Sequence, residues 1–135
     1  MLSRYFEIKT NSEEFKNSLL QTMESLKNKK VLLYGAGQGF IELNKFYNFT
    51  TKLNIVAISD KKFEKNNRKE FVGCKTVRPN DIPLLDFDVI LVTNEAPKPI
   101  VKFLTNKLDI DENKIKTVFT EEIKDEQKNL NYLYK

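Results

Sequence analysis

The sequence has no histidine and a single cysteine, Cys74, among its 135 residues. One cysteine excludes an internal disulfide framework, and a zinc site without histidine would need an improbable set of ligands. No segment approaches the roughly 20 apolar residues of a transmembrane helix, and the first residues lack the apolar run of a secretory signal. We therefore expect a cytoplasmic protein with no metal ion and no membrane insertion.

Charge of one sign does not dominate the chain either, because 23 basic residues stand against 19 acidic ones and give a net charge of +4. The lysines are spread between acidic residues, so no basic stripe that could follow a nucleic-acid backbone is visible. With 40% hydrophobic and 31% charged residues, the composition is that of an ordinary globular domain with one core. We expect no nucleic-acid partner.

An amphipathic helix is predicted over residues 12–27. Asn11 and Ser12 precede it as potential caps, and Glu13 and Glu14 complement the positive end of the helix. Apolar residues then recur at spacings of four, four and three, which places them on one face: Phe15, Leu19, Met23 and Leu26. We expect this face to pack on the rest of the domain or on a partner.

Five short apolar runs predict strands. They are Lys30–Tyr34, Asn54–Asp60, Lys75–Val77, Asp88–Thr93 and Ile115–Phe119. Helical spacing follows the first run, a turn or short helix is bracketed by Pro79 and Pro83, and a helix with Pro97 or Pro99 in its first turn follows the fourth run. Strands that are apolar nearly throughout and alternate with helices are typical of a parallel sheet buried on both faces. The predicted fold is α/β, a Rossmann-like doubly wound parallel sheet of about five strands with flanking helices.

The first strand ends in a glycine loop, Gly35-Ala36-Gly37-Gln38-Gly39, and a helix follows. Gly35 permits a tight exit from the strand, and Gly37 removes a side chain where backbone must approach a phosphate. The helix start directs free N–H groups and a positive dipole end to the same place. The usual dinucleotide fingerprint has its third glycine where this chain has Phe40, which argues against the usual NAD geometry. The alternative is that these glycines only make a tight turn.

Polar residues end the second and fourth predicted strands. Asp60 lies where dinucleotide-binding folds place the acid that accepts hydrogen bonds from ribose hydroxyls. It could instead be an exposed acid paired with Lys61 or Lys62, and those lysines could meet a 2′-phosphate, which leaves NAD and NADP open. Thr93 and Asn94 could add hydroxyl and amide contacts to a ligand, although Asn94 could also cap the next helix.

No catalytic group stands out. The only Tyr-x-x-x-Lys pattern, Tyr5–Lys9, lies before the glycine loop, and Cys74 has no histidine to activate it. Three further acids have no partner at a telling spacing: Glu42, Asp86 and Glu95. We therefore expect a binding module without activity of its own. A small NAD(P)-dependent oxidoreductase or redox-sensing domain, and a structural domain with a vestigial pocket, stay open as alternatives.

Several segments occur in a familiar order. They are Lys30–Gly37, Ile55–Asp60, Phe71–Val77, Asp81–Pro83 and Leu108–Ile115. In this order they resemble the Rossmann-like nucleotide-binding domain of bacterial surface-glycan enzymes, which include nucleotide-sugar dehydratases and sugar acetyltransferases. The likeness runs from about Lys29 to Phe119.

The resemblance implies that the loop Gly35–Gly39 binds a nucleotide sugar or a related nucleotide, with Asp60 near the nucleoside. In such acetyltransferases the chemistry belongs to a separate β-helix domain, so this chain would be the binding half, as a homodimer or beside a partner catalytic domain. We accordingly divide the chain into three parts: a lead with the amphipathic helix (1–28), a nucleotide-binding domain (29–120) and a charged helix or tail (121–135).

Overall fold

The computed structural model describes residues 4–65 and 69–120. Within them six strands form one sheet. They are β1 (Lys30–Tyr34), β2 (Asn54–Ser59), β3 (Glu70–Phe71), β4 (Cys74–Val77), β5 (Val89–Val92) and β6 (Ile115–Thr117). Their order across the sheet is β3-β4-β2-β1-β5-β6, and every neighbouring pair is parallel except β3 and β4. The strands β2, β3 and β4 therefore lie on one side of β1, and β5 and β6, which come later in the chain, lie on its other side.

Helices and tighter turns connect and cover these strands. The α-helices are α1 (Arg4–Thr10), α2 (Glu13–Ser25), α3 (Gln38–Tyr47), α4 (Phe49–Lys52) and α5 (Lys98–Lys102). A π-helical turn, Phe103–Lys107, continues α5, and three 3₁₀ turns lie at Lys61–Glu64, Pro79–Leu84 and Glu112–Lys114. The predicted α/β class and all five predicted strands are confirmed. The structure adds α1, the short helix α4 and the two-residue antiparallel strand β3, which the sequence analysis did not predict.

The sheet is buried on both faces, which explains why its central strands are apolar nearly throughout. Alternate residues of β1 point to opposite faces. Leu33 belongs to a core shared with α2 and α3, whereas Leu32 belongs to a second core shared with Ile82 and Leu104. Leu32, Leu33 and Leu104 are fully buried, and so is Ile82.

The amphipathic helix predicted over residues 12–27 is confirmed as α2. Ser12 caps it, since the Ser12 side-chain oxygen accepts a hydrogen bond of 3.1 Å from the Phe15 backbone N–H. The four apolar residues of the predicted face are buried: Phe15, Leu19, Met23 and Leu26. They belong to the same core as β1, and the Phe15 ring lies 5.2 Å from the ring of Phe119.

The charged helix or tail predicted for residues 121–135 lies outside the described residues. No helix in ranges 4–65 and 69–120 combines the length and the apolar character needed to cross a membrane.

Candidate functional site

The carboxyl ends of β1, β2 and β5 meet at one edge of the sheet, because the three strands are parallel neighbours. The glycine loop follows β1, Asp60 follows β2, and Thr93 and Asn94 follow β5. Backbone hydrogen bonds join the three segments, from Gly35 N–H to the Ser59 carbonyl and from Thr93 N–H to the Tyr34 carbonyl, each 2.9 Å long. The fold thus brings the candidate residues predicted from the sequence to one edge.

Gly35 is a glycine by steric necessity. Its φ is +122°, a conformation that residues with a side chain rarely adopt. A Cβ atom at this position would lie 2.4 Å from Thr93 Oγ1 and 2.8 Å from Asn94 Oδ1. The side chains after β5 therefore occupy the space beside Gly35.

The Gly35–Ala36 peptide is held from both sides. Its N–H group, on Ala36, donates a hydrogen bond of 2.6 Å to Asp60 Oδ2. Its carbonyl, on Gly35, accepts a hydrogen bond of 3.2 Å from the buried hydroxyl of Thr93. The turn that leaves β1 is consequently fixed by side chains from the two neighbouring strands.

Asp60 also organises its own turn. Asp60 Oδ1 accepts a hydrogen bond of 3.0 Å from the Lys62 backbone N–H and thereby caps the 3₁₀ turn Lys61–Glu64. The Lys62 ammonium donates instead to the Ala36 carbonyl oxygen. The alternative interpretation, an exposed acid paired with Lys61 or Lys62, does not describe Asp60, because the residue is half-buried and both of its carboxylate oxygens accept backbone N–H groups.

Gly37 is the N-cap of α3 and leaves the helix start open. Among the residues that the structure describes, a Cβ atom on Gly37 would meet no atom within 4 Å, and no side chain caps the helix. The first helical hydrogen bond runs from Ile41 N–H to the Gly37 carbonyl, at 3.1 Å. The N–H groups of Gln38, Gly39 and Phe40 meet no acceptor in the described part of the chain, as expected for a helix start without a cap.

The rest of the loop has other contacts. A Cβ atom on Gly39 would lie 3.1 Å from Phe6 Cε2, so Gly39 is where α1 packs on α3. The Gln38 side chain is exposed and donates a hydrogen bond of 3.0 Å to Glu42 Oε1. Phe40 is buried, with its ring centroid 6.1 Å from that of Phe49.

Two polar groups at this edge are buried without a hydrogen-bond partner among the residues that the structure describes: Ser59 Oγ and Asn94 Oδ1. The sequence analysis did not propose Ser59 as a site residue, although a polar residue at the end of an apolar strand indicates a candidate for the same edge of the sheet. The alternative role of Asn94 as a helix cap is wrong, because α5 begins at Lys98 and has Pro97 as its N-cap.

Tyr34 is a second residue that the sequence analysis missed. It ends β1 and is almost completely buried. Burial, with a smaller contribution from the charges of Asp60 and Glu64, raises the pKa of Tyr34 to about 12. Tyr34 thus stays protonated at neutral pH.

The residues considered for catalysis lie apart from the glycine loop or have other partners. Burial raises the pKa of the Cys74 thiol on β4, which disfavours the reactive thiolate. The Tyr5 hydroxyl donates a hydrogen bond of 3.3 Å to the Thr120 carbonyl, and Asp86 forms an ion pair with Lys30. Within the described ranges, no group of three or more histidine, cysteine, aspartate or glutamate residues could hold a metal ion.

Two cavities of about 350 and 380 Å³ lie along α2. Leu20 lines both of them, and Phe6, Leu43 and Phe46 line the first. Neither cavity is lined by the glycine loop, Asp60, Thr93 or Asn94.

A comparison with curated proteins finds no match to this chain. A scan against protein-family models finds one described as C2185-like, N-terminal, which matches residues 27–116. The matched range includes the glycine loop, Asp60, Thr93 and Asn94, and it is more than half of the 135 residues. The chain therefore belongs to the C2185-like, N-terminal domain family.

Proposed function

We propose that the chain is a Rossmann-like nucleotide-binding domain whose glycine loop holds the phosphates of its ligand. The observation that carries this proposal is the open start of α3. Unbonded N–H groups and the positive end of the helix dipole coincide there with the empty space above Gly37. A phosphate is the kind of group that such a place stabilises.

The strand order supports the proposal. The parallel strands on one side of β1 precede those on its other side in the chain, which is the order of a doubly wound sheet. Ligands of such sheets bind outside the carboxyl ends of the strands, at the point where the strand order reverses. In this chain the strand order reverses between β1 and β5, and the glycine loop follows the carboxyl end of β1 directly.

Asp60 supports the placement of a ribose beside the phosphates. Each carboxylate oxygen accepts one backbone N–H group, and a carboxylate offers about four lone-pair sites in all. Asp60 therefore keeps acceptor capacity for ribose hydroxyls while it braces the loop. Its position after β2 is the one that dinucleotide-binding folds use for this purpose.

For the ligand we propose a nucleotide sugar, with the chain as an accessory part of surface-glycan biosynthesis and without turnover of its own. The resemblance to glycan-enzyme domains supports this choice. Phe40 supports it against NAD(P), because its buried ring fills the position where the dinucleotide fingerprint has a third glycine. A cytoplasmic location stays the prediction from the sequence.

A thermal-shift screen tests this proposal. The wild type, Gly37→Val and Lys45→Val are each measured with UDP-, GDP- and CDP-sugars, NAD(H), NADP(H) and coenzyme A. A ligand at about 100 times its Kd should stabilise the wild type by about 2.7 kcal/mol. Gly37→Val should lose this stabilisation, because its side chain would fill the open space. Lys45→Val places the same side chain at an exposed position near the other end of α3 and should keep the stabilisation.

Circular dichroism checks that both variants fold. A wild type that no nucleotide stabilises, or a folded Gly37→Val that every ligand still stabilises, would contradict the proposal. Mass spectrometry then follows each bound ligand during incubation with the protein, with and without nicotinamide cofactors. Conversion that requires the wild-type loop would favour the oxidoreductase alternative.

A further inference from the structure

The peptide between Ala36 and Gly37 has one bonded end and one free end. Its carbonyl, on Ala36, accepts a hydrogen bond from the Lys62 ammonium. Its N–H group, on Gly37, meets no acceptor in ranges 4–65 and 69–120. In a trans peptide the N–H and C=O groups point in opposite directions, and this peptide is trans. The direction of the Gly37 N–H group is therefore set by whatever holds the Ala36 carbonyl.

The Lys62 side chain is itself held in place. Its ammonium nitrogen lies 4.7 Å from the ring centroid of Phe71 and 5.7 Å from that of Phe63, both of which are buried. A cation over an aromatic face is attracted by the ring quadrupole. The Lys62 backbone is fixed as well, because its N–H group donates to Asp60 Oδ1. Lys62 is thus anchored at both ends of its side chain.

We infer that Lys62 is a positioning residue that aims the Gly37 N–H group at the phosphate of the ligand. This inference rests on the proposed function, and it assigns the role to the hydrogen bond with the Ala36 carbonyl rather than to the positive charge. Asp60 and Lys62 then act together, since Asp60 fixes the Gly35–Ala36 peptide and Lys62 fixes the next one. Both come from the turn after β2.

Lys61→Met is the matched control for Lys62→Met. Both substitutions remove one positive charge from the same 3₁₀ turn, and both side chains are exposed. Only Lys62→Met also removes the hydrogen bond to the Ala36 carbonyl. Lys62→Arg keeps a cationic donor at this position and should behave like the wild type.

The first measurement uses the protein without ligand. In ¹H–¹⁵N NMR spectra, Lys62→Met should shift or broaden the amide signal of Gly37, because the Ala36–Gly37 peptide loses its anchor. Lys61→Met and Lys62→Arg should leave that signal close to its wild-type position. A Gly37 signal that Lys62→Met leaves unchanged would overturn the inference, whether or not the protein binds a nucleotide.

The second measurement titrates inorganic pyrophosphate, the group that the candidate nucleotides share. Lys62→Met should raise the Kd about tenfold, as expected for a hydrogen bond to a charged group. The increase should persist between about 0.1 M and 1 M salt, over which the Debye length falls from about 10 Å to 3 Å and charge attraction is screened. Lys61→Met should raise the Kd only at the lower salt concentration.

Equal Kd values for the wild type and Lys62→Met, or an increase that vanishes at high salt, would overturn the positioning role and leave the proposed function intact. If the wild type binds neither pyrophosphate nor any nucleotide, both the positioning role of Lys62 and the proposed function are overturned. The two failures are therefore distinguishable.

Discussion

Gly35→Ala should be strongly destabilising, although it adds a single methyl group. The new Cβ atom would lie 2.4 Å from Thr93 Oγ1 and 2.8 Å from Asn94 Oδ1, both closer than any ordinary contact. Thr93 would have to move, and its hydroxyl, whose single hydrogen is shared between the Tyr34 and Gly35 carbonyls, would lose hydrogen bonding worth about 0.5–1.5 kcal/mol. The φ of +122° adds about 1–3 kcal/mol of backbone strain for alanine.

Together these costs predict a loss of about 1.5–4.5 kcal/mol in the free energy of unfolding. Gly37→Ala is the matched control, because its Cβ atom meets nothing within 4 Å and its φ is −98°. That variant should stay within about 1 kcal/mol of the wild type, since the weaker helix cap is offset by the lower entropy of the unfolded chain. Urea unfolding followed by circular dichroism measures both. A Gly35→Ala variant as stable as Gly37→Ala would refute the reasoning.

Three shorter predictions concern two buried residues, Ser59 and Tyr34, and the half-buried Cys74. Ser59→Ala should leave the free energy of unfolding unchanged or raise it by about 1 kcal/mol, because the Ser59 hydroxyl is buried without a partner in the described part of the chain; a loss in urea unfolding would contradict this. Tyr34 should ionise near its pKa of about 12 in a titration followed by phenolate absorbance, with Tyr34→Phe identifying its signal. The free energy of unfolding should fall as the pH rises from about 10 towards 12, because Tyr34 loses its proton at a lower pH in the unfolded chain than in the folded protein. Cys74 should react with a thiol reagent more slowly in the folded protein than in urea, since burial raises its pKa; equal rates would show an accessible thiol.

The strands β1, β2, β4, β5 and β6 could be predicted from the sequence because each belongs to an apolar run that is long enough to be recognised as a strand. β3 could not, since it has two residues and pairs with β4 through a turn in which Val72 adopts a φ of +46°. Valine is an unusual residue at positive φ, so of the two turn residues only Gly73, with a φ of +79°, is typical of such a turn. α1 was missed because it has seven residues, and so short a helix depends on tertiary contacts rather than on its own pattern.

The candidate site could be predicted in outline for a geometric reason. Residues that end neighbouring parallel strands meet at one edge, so Gly35, Asp60 and Thr93 could be grouped from their places in the chain. Their contacts could not be predicted, because those depend on how individual peptides are oriented. The contact of Gly39 with Phe6 depends on α1, and the role of Lys62 depends on the direction of the Ala36 carbonyl.

Asp60 requires a test that separates its structural role, which is to hold the glycine loop, from its proposed contact with a ribose. Asp60 Oδ2 accepts from Ala36 N–H and Oδ1 from Lys62 N–H, so Asp60→Asn would place an amide NH₂ group opposite one of these donors. The ligand-free protein should lose about 1–3 kcal/mol of stability as a result. Weaker nucleotide binding by this variant would therefore not identify a ribose contact by itself.

Comparison of a nucleotide with its 2′-deoxy analogue makes that identification. If the Asp60 carboxylate accepts from the 2′-hydroxyl, the wild type should prefer the ribonucleotide by about tenfold, the effect of a hydrogen bond to a charged group. Asp60→Asn should bind both forms weakly and with nearly equal Kd values, because damage to the loop affects them alike. The coupling energy in this double-mutant cycle separates the ribose hydrogen bond of Asp60 from the hydrogen bonds by which Asp60 holds the loop. A variant that keeps the full preference for the ribonucleotide would show that Asp60 only braces the loop, and the ribose would then have to lie elsewhere along the edge.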